Sequence, residues 1–404
     1  MILKDNNLKD RCYGCYACAN ACPKKCIKLL EDQEGFRYPQ VAENICNNCG
    51  LCVRACPIGK NAKELHSSLL DEPDAYACYI LDEAVRKRSA SGGMGFAVSE
   101  YVIRQGGVVF GAVGKDLERV YHTMADTVDG VYPMCGSKYV QSDIGETYSQ
   151  TEEMLKSGCL VLYTGTPCQI AGLYAFLKNE YDNLITCDII CHGVPSQKVL
   201  SVYIGEMEKK TGKKVIDYER TKMIQYWPPQ RIIKFSDASF ILQEVKDSSY
   251  RQGFLHNLFQ RKSCYTCEYA KIPRISDFSL ADLFAALFMD VLKRLDPENK
   301  MGGSIVTVNT DKAKRVIHEM SGMIYKEALN FQIVKNVAHV DHSPKYNKNR
   351  QKFFEKFYKG GFEKAFLKYG KPKPSLSNLM KKVIIVILRR LRLLNFVKSL
   401  VRGK

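Results

Sequence analysis

Apolar and polar positions keep two different periods along this chain. From about Ser91 onward, short apolar runs bounded by glycine or turn residues alternate with stretches of helical spacing. "GGVVFGAVG" (Gly106 to Gly114), "CLVLYTG" (Cys159 to Gly165), "LITCDII" (Leu184 to Ile190) and "GGSIVTVNT" (Gly302 to Thr310) read as buried strands. "AVSEYVIRQ", "QIAGLYAFL" (Gln169 to Leu177) and Val199 to Lys210 read as helices. Residues 215–260 mix short strands and turns, and the chain from about Tyr346 is helix-prone until "KPKPS" (Lys371 to Ser375) breaks it. The last segment mixes Leu, Ile and Val with cations and has a broad apolar face.

Before Ser91 the pattern is different. A cysteine-rich opening repeats itself once, and residues 63–90 are charged and irregular, as in a linker. The expected fold class is α+β or α/β: a domain built on the cysteine repeat over 1–62, a linker over 63–90, a mixed α/β domain over 91–345 and a basic helical extension over 346–404.

Composition changes the picture at one end only. Lys345 to Lys404 holds 18 Lys and Arg against Glu355 and Glu363, so it carries +16 of the formal +17. The rest is balanced, which argues against nucleic-acid binding by the whole protein. Val383 to Val401 is interrupted by Arg389, Arg390, Arg392 and Lys398, so no membrane span is expected. A basic amphipathic tail still suits peripheral contact with an anionic membrane, at its inner face. Packing on the main domain or on a partner, or simple solubilisation, are the other roles open to it. Met1 to Lys9 is polar, so no secretory leader is expected and the setting is the reducing cytoplasm. There the 17 cysteines read as metal ligands rather than disulfides.

Their spacing is specific. Cys12, Cys15, Cys18 and Cys22, followed by Pro23, form the C-x2-C-x2-C-x3-C-P run of a 4Fe–4S site. Cys46, Cys49, Cys52 and Cys56, followed by Pro57, repeat it 34 residues later. In such a pair the fourth cysteine of each run serves the other cluster. One cluster therefore takes Cys12, Cys15, Cys18 and Cys56, and the second takes Cys46, Cys49, Cys52 and Cys22. Two zinc sites are the alternative, and the register argues against them. Cys26 is left over as a spectator thiol.

Four more thiols have suggestive surroundings. Cys168 follows the turn "TGTP", Cys191 follows a strand, and Cys264 and Cys267 form "SCYTC". Strand ends line the crevice of an open sheet, so these four could hold a third 4Fe–4S cluster; a zinc half-site or buried free thiols remain alternatives. "SGGMGF", with Ser91, Gly92 and Gly93, opens a helix whose N-terminus favours phosphate, unless it is an ordinary turn. Lys138 in "GSKYVQS" could face a phosphate or an anionic reduced flavin, or simply solvent. His122 and His192 could handle protons or be structural.

The order of "SGG", "SKYVQS", "GTPCQIAGL", "DIICHGVPS" and "RKSCYTCEYAKIPRISD" resembles the coenzyme F420 hydrogenase/dehydrogenase beta-subunit family over residues 8–310, in its bacterial branch with a fused ferredoxin domain. Members of that branch often lie among polysaccharide-biosynthesis genes. The resemblance implies FAD beside an iron–sulfur cluster, with Cys168, Cys191, Cys264 and Cys267 as cluster ligands. Ser91, Gly92, Gly93 and Lys138 become flavin-binding candidates, and His192 and Lys138 catalytic ones. The family's Gly-Asp-Phe-Trp-Gly-like stretch is replaced here by "LADLFAA" (Leu280 to Ala286), which keeps Asp282.

The expectation is thus an oxidoreductase. A ferredoxin-like donor or partner redox subunit would exchange electrons with the clusters and FAD, and through them with a two-electron organic substrate. A flavin-free electron-transfer adaptor is the alternative.

Overall fold

The computed structural model describes residues 6–220, 231–244, 246–283, 286–298 and 301–370. The N-terminal module folds around its cysteine loops and one antiparallel hairpin, β1 (Ile27–Glu31) with β2 (Arg37–Val41). The expected linker is not one. Residues 74–80 form strand β3 (Asp74–Ile80), hydrogen-bonded on both sides within the main sheet. Its inward positions include Ala75, Ala77 and Cys78, small residues that give little of the β-branched signal by which strands are recognised.

Three of the apolar runs become β4 (Val108–Gly114), β6 (Val161–Gly165) and β7 (Leu184–Ile189), and β5 (Val120–Ala125), which no apolar run marked, pairs with β4. Three short strands follow: β8 (Val215–Arg220), β9 (Arg231–Phe235) and β10 (Phe240–Gln243). They form their own antiparallel sheet in the order β10-β9-β8. β11 (Phe278–Asp282), β12 (Ser304–Val308) and β13 (Ile324–Ala328) complete an eight-stranded sheet, ordered β13-β3-β12-β11-β7-β6-β4-β5. Its centre, β11-β7-β6-β4, is parallel, and antiparallel pairs extend it on both sides.

A parallel centre must be covered on both faces. Along β6, Val161 and Tyr163 face one way and Leu162 the other, and all three are fully buried. Leu162 packs with Val98 and Val102 of the Met94–Arg104 helix and with Val316 of the Asp311–Glu319 helix. Val161 and Tyr163 pack with Tyr148 and Leu155 of the Thr147–Lys156 helix and with Ile170 and Leu173 of the Pro167–Leu177 helix. Tyr13, Cys15, Tyr16 and Ala17 belong to that same core, so the cysteine module is built into one face of the sheet.

The expected C-terminal extension is partly core as well. Arg350–Tyr369 is helical, with a kink at Gly361, and buries Phe353, Phe354, Phe357, Phe362 and Phe366 against Tyr203, Tyr250 and Phe259. Arg350 pairs with Glu34 of the N-terminal module. "KPKPS", Val383 to Val401 and the membrane contact assigned to them lie outside the described residues. Among those described, no helix is long and apolar enough to cross a membrane.

Candidate functional site

The first cysteine loop turns tightly, through left-handed Gly14 and Tyr16, and buries Cys12, Cys15 and Cys18. Cys56 reaches them from the second run. Burial pushes the Cys15 thiol well up, and the neighbouring Cys18, Cys56 and Cys12 add to the rise. Cys22 instead lines a second, small cleft with Cys46, Cys49 and Cys52. Cys56 thus neighbours Cys12, Cys15 and Cys18, and Cys22 neighbours Cys46, Cys49 and Cys52. Cys26, read as a spectator, is buried in the second cleft with its Sγ 3.4 Å from that of Cys22. The second set is the outer one: Cys49 is exposed.

The third set converges from three elements. Cys168 sits in the first turn of the Pro167–Leu177 helix, directly after β6. Cys191 lies two residues past β7; Cys264 sits within the short turn at Lys262–Thr266, and Cys267 follows directly after it. Burial raises the Cys168 thiol, and Cys267, Cys191 and Cys264 all contribute to the rise as neighbours. Burial also pushes Cys191 up to about 11 and Cys264 up to about 12. Backbone N–H groups already point at these sulfurs: Gly193 N donates to Cys191 Sγ and Val194 N to Cys264 Sγ, each at 3.3 Å. Desolvated thiols crowded together and met by N–H donors suit a cationic iron core that takes four thiolates. Among the described residues no three His, Cys, Asp or Glu side chains are arranged to hold a single metal ion. A cubane is gripped at separate corners and makes no such demand.

The inner N-terminal set and the third set are separated by one turn of helix. Gly172 stands four residues, about 6 Å of rise, beyond Cys168. A Cβ on Gly172 would meet Cys15 Sγ at 2.9 Å and Tyr148 Oη at 3.0 Å. Gly172→Ala is expected to cost about 1–3 kcal/mol of stability by overpacking, read from the unfolding midpoint.

Beside the third set lies a cavity of about 500 Å³. Cys191 lines it, together with Ser91, Gly93, Lys138, His122 and His192, so most of the candidates named from the sequence share one space. Gly92 lies behind the wall, where a side chain would strike the Cys78 carbonyl at 2.5 Å. Gly93 has φ +83° and starts the Met94–Arg104 helix with no side-chain cap, leaving that helix N-terminus open toward the cavity.

Lys138 is neither solvated nor free. Its ammonium donates to the carbonyls of Pro133, Met134 and Cys135 at 3.0, 2.8 and 3.0 Å. Burial lowers it to about 8, so its first task is to tie down the loop that rims the cavity. His122 stacks on Tyr163 and bonds the Thr164 carbonyl through Nε2 at 2.9 Å. A carbonyl only accepts, so Nε2 carries the hydrogen, and burial holds the ring neutral, at about 4. His192 likewise bonds the Phe254 carbonyl through Nε2 at 3.1 Å, with its pKa lowered by burial. His339, which no sequence pattern marks, packs edge-on against His192 with ring centroids 4.5 Å apart and joins the cavity wall. Asp282, retained from the family motif, ends β11 at the same wall.

Residues 159–332 match the family described as the C terminus of the coenzyme F420 hydrogenase/dehydrogenase beta subunit, and residues 11–60 match a 4Fe-4S dicluster domain. The chain thus carries, over residues 159–332, a domain of the coenzyme F420 hydrogenase/dehydrogenase beta-subunit family, behind a 4Fe-4S dicluster domain. Like other proteins built on such domains, this beta-subunit relative is an iron–sulfur redox protein. Over 61 residues it is 43% identical to NADH-quinone oxidoreductase subunit I 2 of Geobacter metallireducens, covering 14% of this chain and 47% of that protein. Over 65 residues it is 32% identical to ketoisovalerate oxidoreductase subunit VorC of Methanothermobacter marburgensis, covering 16% of this chain and 81% of that one. The chain thus spans about half the length of the first of these relatives. A solved chain of the F420-reducing [NiFe] hydrogenase complex from Methanosarcina barkeri aligns with 72% of this chain and 95% of its own length, at 16% identity and a TM-score of 0.46.

Proposed function

We propose that this beta-subunit relative is an iron–sulfur flavoprotein oxidoreductase. It exchanges electrons between a ferredoxin-like donor or partner redox subunit and a two-electron organic substrate. The substrate is a coenzyme of the F420 type or a biosynthetic intermediate, with polysaccharide synthesis as one setting. The observation that carries this reading is the position of Cys191, which belongs to a ring of four thiols and also to the wall of the cavity.

In this reading Cys46, Cys49, Cys52 and Cys22 hold the outer cluster, nearest an external donor. Cys12, Cys15, Cys18 and Cys56 hold the inner one, and Cys168, Cys191, Cys264 and Cys267 a third. The uncapped helix N-terminus at Gly93, with Ser91 beside it, suits the phosphates of FAD, and the cavity volume falls in the range of cofactor sites. FAD bound there supplies the exchange between one-electron and two-electron chemistry. Lys138 fixes the rim. His192 holds a proton at the wall: burial disfavours its charged form, while the Phe254 carbonyl and the Asn257 side chain support it. Asp282 and His339 face the substrate's share of the cavity.

The test is composition after anaerobic purification. About twelve irons, matching acid-labile sulfide and one FAD per chain are expected. About eight irons and no flavin, even after reconstitution with FAD, would remove the flavoenzyme reading in favour of an electron-transfer adaptor.

A further inference from the structure

Arg261, Arg274 and Arg350 rank among the largest fully buried side chains. Two of them have an acidic partner. Arg274 Nη2 lies 2.8 Å from Asp188 Oδ1, and Arg350 Nη1 lies 3.0 Å from Glu34 Oε1. Arg261 has no carboxylate within ion-pair distance among the described residues; its contacts are neutral. Nη1 donates to the Cys12 carbonyl at 3.2 Å, and Nη2 to the Arg37 carbonyl at 3.0 Å and Gln141 Oε1 at 2.9 Å. The rings of Phe36 and Tyr38 cover it, with centroids 5.2 and 4.7 Å away. A buried cation without a counter-charge is costly, so an anion must stand nearby in the functional protein.

Two anionic groups are available, one on each side. The guanidinium holds the backbone of Cys12, a thiol of the inner N-terminal set. The Arg261 carbonyl accepts from Cys264 N at 3.0 Å, which puts this residue at the base of the third set as well. Thiolate-ligated clusters are anionic and become more so on gaining an electron, and their potentials follow local charge and burial.

We propose that Arg261 is an electrostatic tuning group shared by the inner N-terminal cluster and the third cluster. It is a positioning residue in the redox sense: it touches neither flavin nor substrate. Its guanidinium stabilises the reduced form of each cluster and is the counter-charge across the gap between them. When one electron leaves the inner cluster and arrives at the third, one is oxidised and the other reduced. No proton needs to move, because the fixed cation compensates the added charge on either side. The proposal rests on the third-cluster reading for its second half.

The experiment is a potentiometric titration of the anaerobically purified chain, with dithionite as reductant and electron paramagnetic resonance as readout, for wild type, Arg261→Gln and Arg261→Lys. In Arg261→Gln the reduction equilibria of the inner and third clusters are expected to weaken at least tenfold, a fall of about 59 mV for a one-electron couple. The outer cluster should stay unchanged. Arg261→Lys keeps the charge but not the planar fork, so its potentials should remain near wild type. A purely structural role would disturb both variants alike. Full iron content with unmoved potentials in Arg261→Gln overturns the proposal. Should that variant fail to take up iron, Gln141→Glu sets a carboxylate against the guanidinium. It is expected to lower the same two potentials, and an iron-replete Gln141→Glu with wild-type potentials overturns the proposal equally. Iron content separates this proposal from the reading beneath it. About eight irons in the wild type removes the third cluster and the shared role together. About twelve with unmoved potentials removes the role of Arg261 alone.

Discussion

Replacing Cys168 with serine is expected to lower iron from about twelve to about eight per chain while leaving the dicluster domain intact. Cys168 is held by the first turn of its helix, and its Sγ lies 3.3 Å from Thr166 Oγ1. Serine fits that space but is a hard oxygen donor, a poor substitute for a soft thiolate on iron. The helix itself should survive, because its capping box uses Thr166 and Gln169 rather than Cys168. The signals of the two N-terminal clusters should therefore persist. Reduction of any bound flavin by a one-electron donor should fall by two orders of magnitude or more, on the order of 3 kcal/mol in barrier terms. Iron analysis with rapid-mixing absorbance checks both parts. An unchanged iron content would show that Cys168 is not a ligand.

The second large effect concerns stability. Asp188 and Arg274 are both fully buried, and Asp188 also accepts from Ser276 Oγ at 2.9 Å. Burial raises the Asp188 carboxyl, opposed by the Arg274 guanidinium and the Ser276 hydroxyl. Asp188→Ala leaves an uncompensated guanidinium in the interior and is expected to cost about 3–5 kcal/mol. The damage should spread to the third set, because Asp188 lies three residues before Cys191 and Arg274 seven residues after Cys267. The double replacement Asp188→Leu with Arg274→Met removes both charges and should recover most of the loss. Unfolding midpoints of wild type, Asp188→Leu, Arg274→Met and the double variant close the cycle. Equal loss in the single and double variants would mean that the pair matters for something other than charge.

The comparison of sequence with structure divides along physical lines. The cysteine runs were legible because a cluster dictates ligand spacing over a few residues. Of the central strands, β4, β6 and β7 were legible because a doubly covered parallel sheet demands continuous apolar runs, whereas β11, with Ser279 and Asp282 in its five residues, gave no such run. β3 was not, since its inward positions are small residues and its partners, β12 and β13, lie more than 200 residues away. Lys138 stands out in the sequence but its bonds do not, because the three carbonyls it holds are gathered only by the turn at Tyr132–Met134. Arg261 opens the "RKSCYTC" string but was given no role there, and His339 escaped notice. An arginine beside a lysine and a serine reads as surface even next to a cysteine pair, and a histidine outside any motif reads as nothing in particular, until the fold puts them beside the sites. The basic tail misled in the opposite sense: its first part carries the phenylalanines that finish the core.

That closing helix has a consequence for how the protein is made. Arg350 reaches back to Glu34, and Phe353 shares a core with Cys12, Phe36 and Tyr38, so the last described residues complete the burial of the first. On a ribosome adding 5–20 residues per second, the N-terminal module emerges roughly 15–60 s before its cover does. Iron must be delivered to a half-built pocket, or the thiols must wait unprotected through that interval. Synthesis in air should therefore yield cluster-poor protein even when the finished molecule tolerates oxygen.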